Sequence, residues 1–399
     1  MKKYNGMDDI PHRGKTVLVR VDVNSPMGKN NEILDDRRFK LHLPTLNELK
    51  DAKTVLIAHQ SRAGKPDFTT MEAHAAHFTE LLGREVLYVE DIFGSEARSK
   101  IGKMDDGDVL MLENVRFFAE ETLTRTAQEH SRSHMVRKLA PLCDLFINDA
   151  FSVAHRAHLS VIGFTAVLPS IAGRLMEKEI EALDKALVDI KRPAVFVLGG
   201  VKAPDSIDVA LNVLKSGAAD YVIFTGILAN IFLMASGIEI GDVNSDFIEK
   251  LGYRGEVDRA KEILKNFKDK ILLPEDLAVL GADERRVEYP VNDLDPGLPI
   301  FDIGSGSIER FGEIIRSSAT VVMNGPAGKF EEKEFAAGTE ALLRAATSSK
   351  FSIIGGGHIS AVVDELGLAE EISHISSGGG ACLRYLAGES LPGIEALIK

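Results

Sequence analysis

Short apolar runs recur along the chain, most of them followed by a helical pattern: VLVRVDVN, TVLIAH, EVLYVED, DVLMLEN and DLFIND, then AVFVLGG, YVIFTG, KILLPED, IFDIG, TVVMNG and FSIIGGG. Near-continuous Val, Ile and Leu runs alternating with helices predict parallel sheets covered on both faces, hence an α/β fold. Nearly every run ends on a polar residue or a glycine: Asn24, His59, Asn114, Asp149, Gly200, Gly226, Asn324 and Gly355. Ligands of open parallel sheets gather at the carboxyl ends of strands, so chemistry is expected at those positions. The first run, VLVRVDVNSP at residues 17–26, adds a question of its own. A period of two sinks Val19, Val21 and Val23 into a core and ranks Arg20, Asp22 and Asn24 on the opposite face. On a lone strand that face reads first as solvated, and only the rest of the chain can give it a ligand to hold.

The series breaks once. AGRLMEKEIEALDKALVDIKRP places Met176, Ile180, Leu183, Leu187 and Ile190 at helical spacing, pairs Glu181 with Lys185 at i,i+4, and stops at Pro193. It predicts a long helix joining two halves, in keeping with a 399-residue chain that exceeds the size of one core. There is no fixed-period repeat and no flexible Gly/Ser linker.

Composition narrows the function classes. No apolar run approaches the about 20 residues that a bilayer needs, and MKKYNGMDDIPHRGK lacks the apolar stretch of a secretory signal, so a cytoplasmic protein is expected. Cys143 and Cys382 stand far apart without a CxxC spacing and read as packing residues. A net charge of -13 disfavours nucleic acid and anionic membranes as partners. A small anion held by a local cationic cluster is still compatible with it.

The first half supplies such a cluster. DDRRFKLHLPT offers Arg37 and Arg38 ahead of a helix, AHQSRAG places His59 and Arg62 just past a strand, MLENVRFF adds Arg116, and NDAFSVAHRAH adds His155, Arg156 and His158. A guanidinium grips carboxylate or phosphate through a planar fork, and repetition at one sheet edge points to a small phosphorylated acid. Asp22 and Asn24 then fit as acceptor and amide among the cations. The pairs His74/His77 and His155/His158 have metal-compatible spacing but no third ligand, and read as solvated or phosphate-contacting. Asp149, Ser152 and His155 make no hydrolytic triad, since no GxSxG surrounds the serine.

In the second half the strand ends turn glycine-rich: LGGVKAPDS, FTGIL, MNGPAGKFE, IIGGGHIS and HISSGGGA. Backbone N–H groups in such loops can cradle phosphate oxygens, and Lys202 accompanies them, so a nucleotide site is expected. The Walker pattern, the protein-kinase motifs and an opening GxGxxG are all absent.

Taken in order, RVDVNSP, HQSRAG, LENVRFF, NDAFSVAHRAH, LGGVKAPDS, NGPAGKFE, IIGGGH and SSGGGACLRYLAGESLPG resemble the phosphoglycerate kinase family along essentially the whole chain. The resemblance implies two Rossmann-like parallel-sheet domains facing across a cleft. Domain 1–170 would bind 3-phosphoglycerate or 1,3-bisphosphoglycerate, 171–190 would form the linking helix and hinge, 191–378 would bind ADP or ATP with Mg²⁺, and 379–399 would return to the first domain. By matching position, Asp22, Asn24, Arg38, His59, Arg62, Arg116 and Arg156 would form the acid site. Gly200, Lys202, Gly226, Asn324, Pro326, Glu331, Gly355, Gly356, Gly357, His358, Gly378 and Gly379 would form the nucleotide site. Arg38 and Lys202 would serve the phosphoryl transfer, and a monomer or dimer is expected. Three departures accompany the likeness: His358 where most members have an aspartate, Ser206 where many have a second lysine, and Gln60–Ser61 for the commoner Leu-Gly. They resemble the archaeal branch, and they leave the metal ligands unassigned, because a neutral imidazole is a poor partner for Mg²⁺. The rival readings are another two-domain transferase for a different phosphorylated acid, and a two-lobed receptor that closes on such a metabolite without turnover.

Overall fold

A computed structural model describes residues 4–398; residues 1–3 and 399, at the outer ends of the expected domain ranges, lie outside them. The chain divides into two compact units, Met1–Ile180 with Ser390–Lys399, and Glu181–Glu389.

The first unit is built on a six-stranded parallel sheet of β1 (Thr16–Arg20), β2 (Lys53–Ile57), β3 (Val86–Tyr88), β4 (Val109–Met111), β5 (Leu145–Asn148) and β6 (Ser170–Ala172), in the order β3-β4-β2-β1-β5-β6. Both faces are covered. Val17, Val19, Val21 and Val23 enter one apolar cluster with Phe39 and Leu46, while Leu18 enters the other with Val55, Ile57 and Phe146. The solvated face that alternation suggested for the opening strand is therefore absent: Arg20 and Asp22 share Leu18's side, and both are buried. A parallel strand flanked by helices on both faces buries its polar side as well as its apolar one. Because β1 lies between β2 and β5, with its own connection leaving toward β2, the crevice at its carboxyl end is where a ligand belongs.

The second unit repeats the scheme with β7 (Ala194–Leu198), β8 (Tyr221–Phe224), β9 (Ile271–Leu272), β13 (Thr320–Asn324), β14 (Phe351–Gly355) and β15 (His374–Ile375), in the order β15-β14-β13-β7-β8-β9. One expectation fails here. IFDIG does not join the parallel sheet; it forms β12 (Ile300–Ile303), which pairs antiparallel with β10 (Asp276–Leu280), itself in a hairpin with β11 (Arg286–Pro290). The hairpin turn closes through Gly281 N–H donating to Arg285 O at 2.8 Å.

The helix Arg174–Leu187 contains the boundary between the units and buries Met176, Ile180 and Leu183 as the spacing predicts. It ends before Ile190, and Val188 just beyond is 73% exposed. The return to the first unit begins at Ser390 rather than 379. Helix Gly379–Leu386 stays in the second unit, where Asn212 Nδ2 donates to Leu386 O at 2.7 Å, while Gly393 N–H donates to Ala154 O at 2.8 Å in the first. Among the described residues no helix is long and apolar enough to cross a membrane.

Candidate functional site

In the first unit, the loops after β1, β2, β4 and β5 converge at one edge of the sheet. A pocket of about 500 Å³ opens there, and Asn24, Arg62, Arg116 and Arg156 line it, four of the residues expected in the acid site. Asp22, Arg38 and His59 adjoin it through a linked set of bonds. Asn24 N–H donates to Asp22 Oδ1 at 3.1 Å, Arg38 Nη1 and the Ser152 hydroxyl both donate to Asp22 Oδ2, and His59 Nδ1 lies 3.9 Å from Asp22 Oδ1. Burial by itself would raise the Asp22 carboxyl; Arg38 above all, with the Ser152 hydroxyl and Arg20, lowers it well below the ordinary carboxylate range. Asp22 is thus an anion that occupies Arg38 while no substrate competes.

Arg116 receives only partial relief, from Glu121 and Asp22. Burial and the repulsion of Arg156 and Arg20 lower Arg116 to about 10. Burial, with Arg156, Arg116 and Arg20, lowers the pocket-lining His158 to about 4, so its ring is neutral at physiological pH. Cations that depress one another's protonation stabilise any anion placed among them.

One of the family departures, Gln60–Ser61, finds its reasons here. Ser61 takes a left-handed conformation (φ 54), where glycine is usual. It is held by donating its N–H to Asn24 Oδ1 at 2.6 Å and its hydroxyl to Asp67 Oδ1 at 2.6 Å. Gln60 is fully buried and bridges loops, accepting from Ser25 N–H at 3.1 Å, donating to Ser25 O at 2.9 Å and meeting His74 Nε2 at 3.1 Å. His74 is consequently a buried structural residue stacked on Phe39, not the solvated or phosphate-contacting one expected. Nor do Asp149, Ser152 and His155 act together: Asp149 pairs with buried His42, and Ser152 serves Asp22.

In the second unit, helices Ala203–Lys215, Gly226–Ala235, Gly357–Glu365 and Gly379–Leu386 begin just past β7, β8, β14 and β15, so their N-termini, the ends of a helix that favour an anion, gather at that sheet's carboxyl edge. The glycines divide into two roles. Gly200 and Gly226, both with positive φ, spend their amides on neighbouring loops, donating to Pro326 O at 2.8 Å and Ala327 O at 2.9 Å. They shape the site and do not offer N–H groups to a phosphate. Gly356 (φ 105) turns the chain into helix Gly357–Glu365, and no atom stands within 4 Å of where a Gly357 side chain would begin, leaving that helix start open. A Cβ on Gly379 would lie 3.4 Å from Gly356 Cα, so glycine there lets two helix N-termini abut. Asn324, 5% exposed, packs against Gly355 and Gly356, its Nδ2 buried without a hydrogen-bond acceptor. Gly378 caps helix Gly379–Leu386. Lys202 caps helix Ala203–Lys215 and is exposed, as are Glu331 and His358, whose ring lies 6.1 Å from Phe330.

The tightest point is Gly325 (φ +80), where a Cβ would collide with the Gly199 carbonyl. Gly325→Ala is expected to cost about 1 to 3 kcal/mol of local strain. The loops should part, raising KM for the nucleotide about tenfold with KM for the acid unchanged; equal KM values in initial-rate assays would refute this.

Sequence reasoning missed several residues in and behind this pocket. Arg20 was visible in the opening run, but its place behind His59 depends on burial. Ser61, Lys65, Asp67 and Thr122 line the pocket without a pattern that marks them, although Lys65 lies three residues from Arg62 in the same loop.

The family model for phosphoglycerate kinase matches residues 7–389. Phosphoglycerate kinase 2 of Methanosarcina acetivorans is 55% identical over 397 residues, covering 99% of this chain and 95% of that protein. The phosphoglycerate kinase of Methanothermobacter thermautotrophicus is 52% identical over 399 residues, covering 99% and 97%. Among solved structures, the phosphoglycerate kinase of Pyrococcus horikoshii OT3 superposes with a TM-score of 0.91 at 42% identity over 98% of both chains. That of Coxiella burnetii does so at 0.84 and 30% identity, covering 99% of this chain and 98% of the other.

Proposed function

Because this chain belongs to the phosphoglycerate kinase family, which transfers a phosphoryl group reversibly between 1,3-bisphosphoglycerate and ADP, we propose how its own residues divide that work. Asn24, Arg62, Arg116 and Arg156 hold the phosphorylated acid, with Asp22 and His59 orienting it. Arg38 leaves Asp22 to meet the transferring group. The open starts of helices Gly357–Glu365 and Gly379–Leu386 receive the nucleotide phosphates, with Asn324, Pro326 and Glu331 beside the nucleotide. Lys202 neutralises the moving phosphoryl oxygens. Such transfer needs in-line positioning and charge stabilisation more than covalent chemistry, which suits a site of fixed cations and helix N-termini.

The observation that carries this reading is the convergence of Arg62, Arg116 and Arg156 from separate loops on one pocket, where burial and the neighbouring guanidiniums lower both Arg116 and His158. Magnesium enters as part of the nucleotide substrate, resting on phosphate oxygens and water. His358 is no ligand for so hard an ion, and among the described residues no group of three His, Cys, Asp or Glu is placed to hold one. The enzyme acts in the cytoplasm as a monomer or dimer, which fractionation and sedimentation test.

A coupled assay with ATP, 3-phosphoglycerate and Mg²⁺, run on the parent and on Arg116→Ala, tests the site. Loss of a charged hydrogen bond of about 1.5 to 3 kcal/mol predicts a rise in KM for 3-phosphoglycerate of roughly tenfold to a hundredfold, with the nucleotide KM unchanged. A preference for another phosphorylated acid would favour the rival transferase, and binding without ADP release the receptor.

A further inference from the structure

Behind the acid pocket runs a buried row that the transfer step does not use. Glu121, 1% exposed, accepts the Ser160 N–H at 2.9 Å and the Ser160 hydroxyl at 2.7 Å. The same hydroxyl accepts Arg20 Nε–H at 2.9 Å. Arg20, also 1% exposed, donates from Nη1 to Val21 O and from Nη2 to His59 Nδ1 at 2.9 Å. Four side chains from separate segments are thus joined in series, ending on a histidine assigned to the acid site. Burial pushes Glu121 up and Arg20 down, each opposed by the charge of the other.

A guanidinium has only donors, so His59 Nδ1 must accept, and the proton of the neutral ring sits on Nε2. We propose that Arg20, held by Glu121 through Ser160, is a positioning residue that fixes His59 as a neutral Nε2–H donor for the acid substrate. This deepens the assignment of His59 to the acid site and rests on it. The charged groups facing His59 are Arg20, Asp22, Arg116 and Arg156. Burial first, then Arg20, with Arg116 and Arg156, hold the ring well below its ordinary value, and Asp22 alone opposes them. The site therefore presents the same donor across the range in which a phosphate monoester changes its own charge, with a second pKa near about 6.

The test uses the full-length enzyme labelled with ¹⁵N-histidine. His59 is assigned by its loss in His59→Gln, and its tautomer is read between about pH 5 and 8. Arg20→Met is compared with Arg20→Met/Glu121→Met, because removing both members of a buried pair spares the fold an uncompensated charge. The parent is expected to show one neutral Nε2–H tautomer throughout. Without Arg20, His59 should populate both tautomers and titrate, and the ratio of variant to parent KM for 3-phosphoglycerate should grow about threefold to tenfold from the acidic to the basic end, as a charged hydrogen bond gives way to a neutral one. Taking the ratio cancels the titration of the substrate. A pH-independent rise in KM would report only a lost positive charge and would overturn the proposal, as would an unchanged tautomer in the double variant. If His59→Gln leaves KM for 3-phosphoglycerate unaltered, the site assignment itself falls, an outcome distinct from the other two.

Discussion

Replacing Lys202 with alanine is expected to lower kcat several hundredfold while KM for 3-phosphoglycerate stays within about twofold. Removing one preorganised donor to a developing charge costs about 3 to 4 kcal/mol in comparable sites. Two features of this chain argue for the upper part of that range. Lys202 stands at the start of helix Ala203–Lys215, where the helix dipole adds to its charge, and it forms no ion pair with a described residue, so its charge is not spent elsewhere. The next turn offers no substitute: Ser206, where many of the family carry a second lysine, is 1% exposed and contributes only a hydroxyl. Lys202→Arg should recover a fraction of the rate, since a guanidinium keeps the charge but not the compact geometry. The measurement is the initial rate of ADP release at saturating substrates, with circular dichroism to check folding. A loss below tenfold would remove Lys202 from the transfer step.

The largest effect on stability is expected at Asp149. Its Oδ2 accepts His42 Nδ1–H at 2.7 Å, while Oδ1 accepts the Leu175 amide at 2.9 Å, and both side chains are at most 1% exposed. His42 Nε2 in turn accepts the Asp22 amide at 3.0 Å. One carboxylate therefore ties the start of helix Arg174–Leu187, through His42, to the backbone at Asp22. Breaking a buried pair by removing one partner costs about 3 to 5 kcal/mol, because the other is left without its bond. Asp149→Ala is expected to lower the stability of the first unit by that amount in urea titrations, and Asp149→Asn by less, since an amide oxygen can still accept one of the two bonds. A ΔΔG below about 1 kcal/mol would show that solvent or a rearranged loop takes over the carboxylate's partners.

Much of the site was legible because it obeys local rules. The carboxyl ends of parallel strands are where ligands collect, so reading the end of the opening run and the arginine-bearing loops past the later ones found Asn24, Arg62, Arg116 and Arg156, which the fold brings to one pocket. The ordered motifs carried the family. The hairpin of β10 and β11 escaped because DLAVL and RVEYP each look like half of a parallel run until their partner is known. β15, two residues long, is too short for any periodicity to register.

The glycines show the same division. Sequence alone marks Gly200 and Gly226 as permissive backbone at strand ends, which suits phosphate binding. Only the packed loops reveal that their amides already donate to Pro326 and Ala327.

By itself, the chain's order of apolar runs, strand-end polar residues and motifs determined the α/β class, the family and which arginines belong to the loops that meet at one pocket. Those properties are written in local spacing, which survives in any extended reading of the chain. Tertiary structure decided which charges are neutralised and which are left for a ligand, so that Arg38 is paired with Asp22 while Arg116 forms no ion pair with a described residue and its protonation is depressed by Arg156 and Arg20. It also decided that Arg20 faces His59. Desolvation and Coulomb interaction depend on distances between segments remote in sequence, and only folding sets those distances.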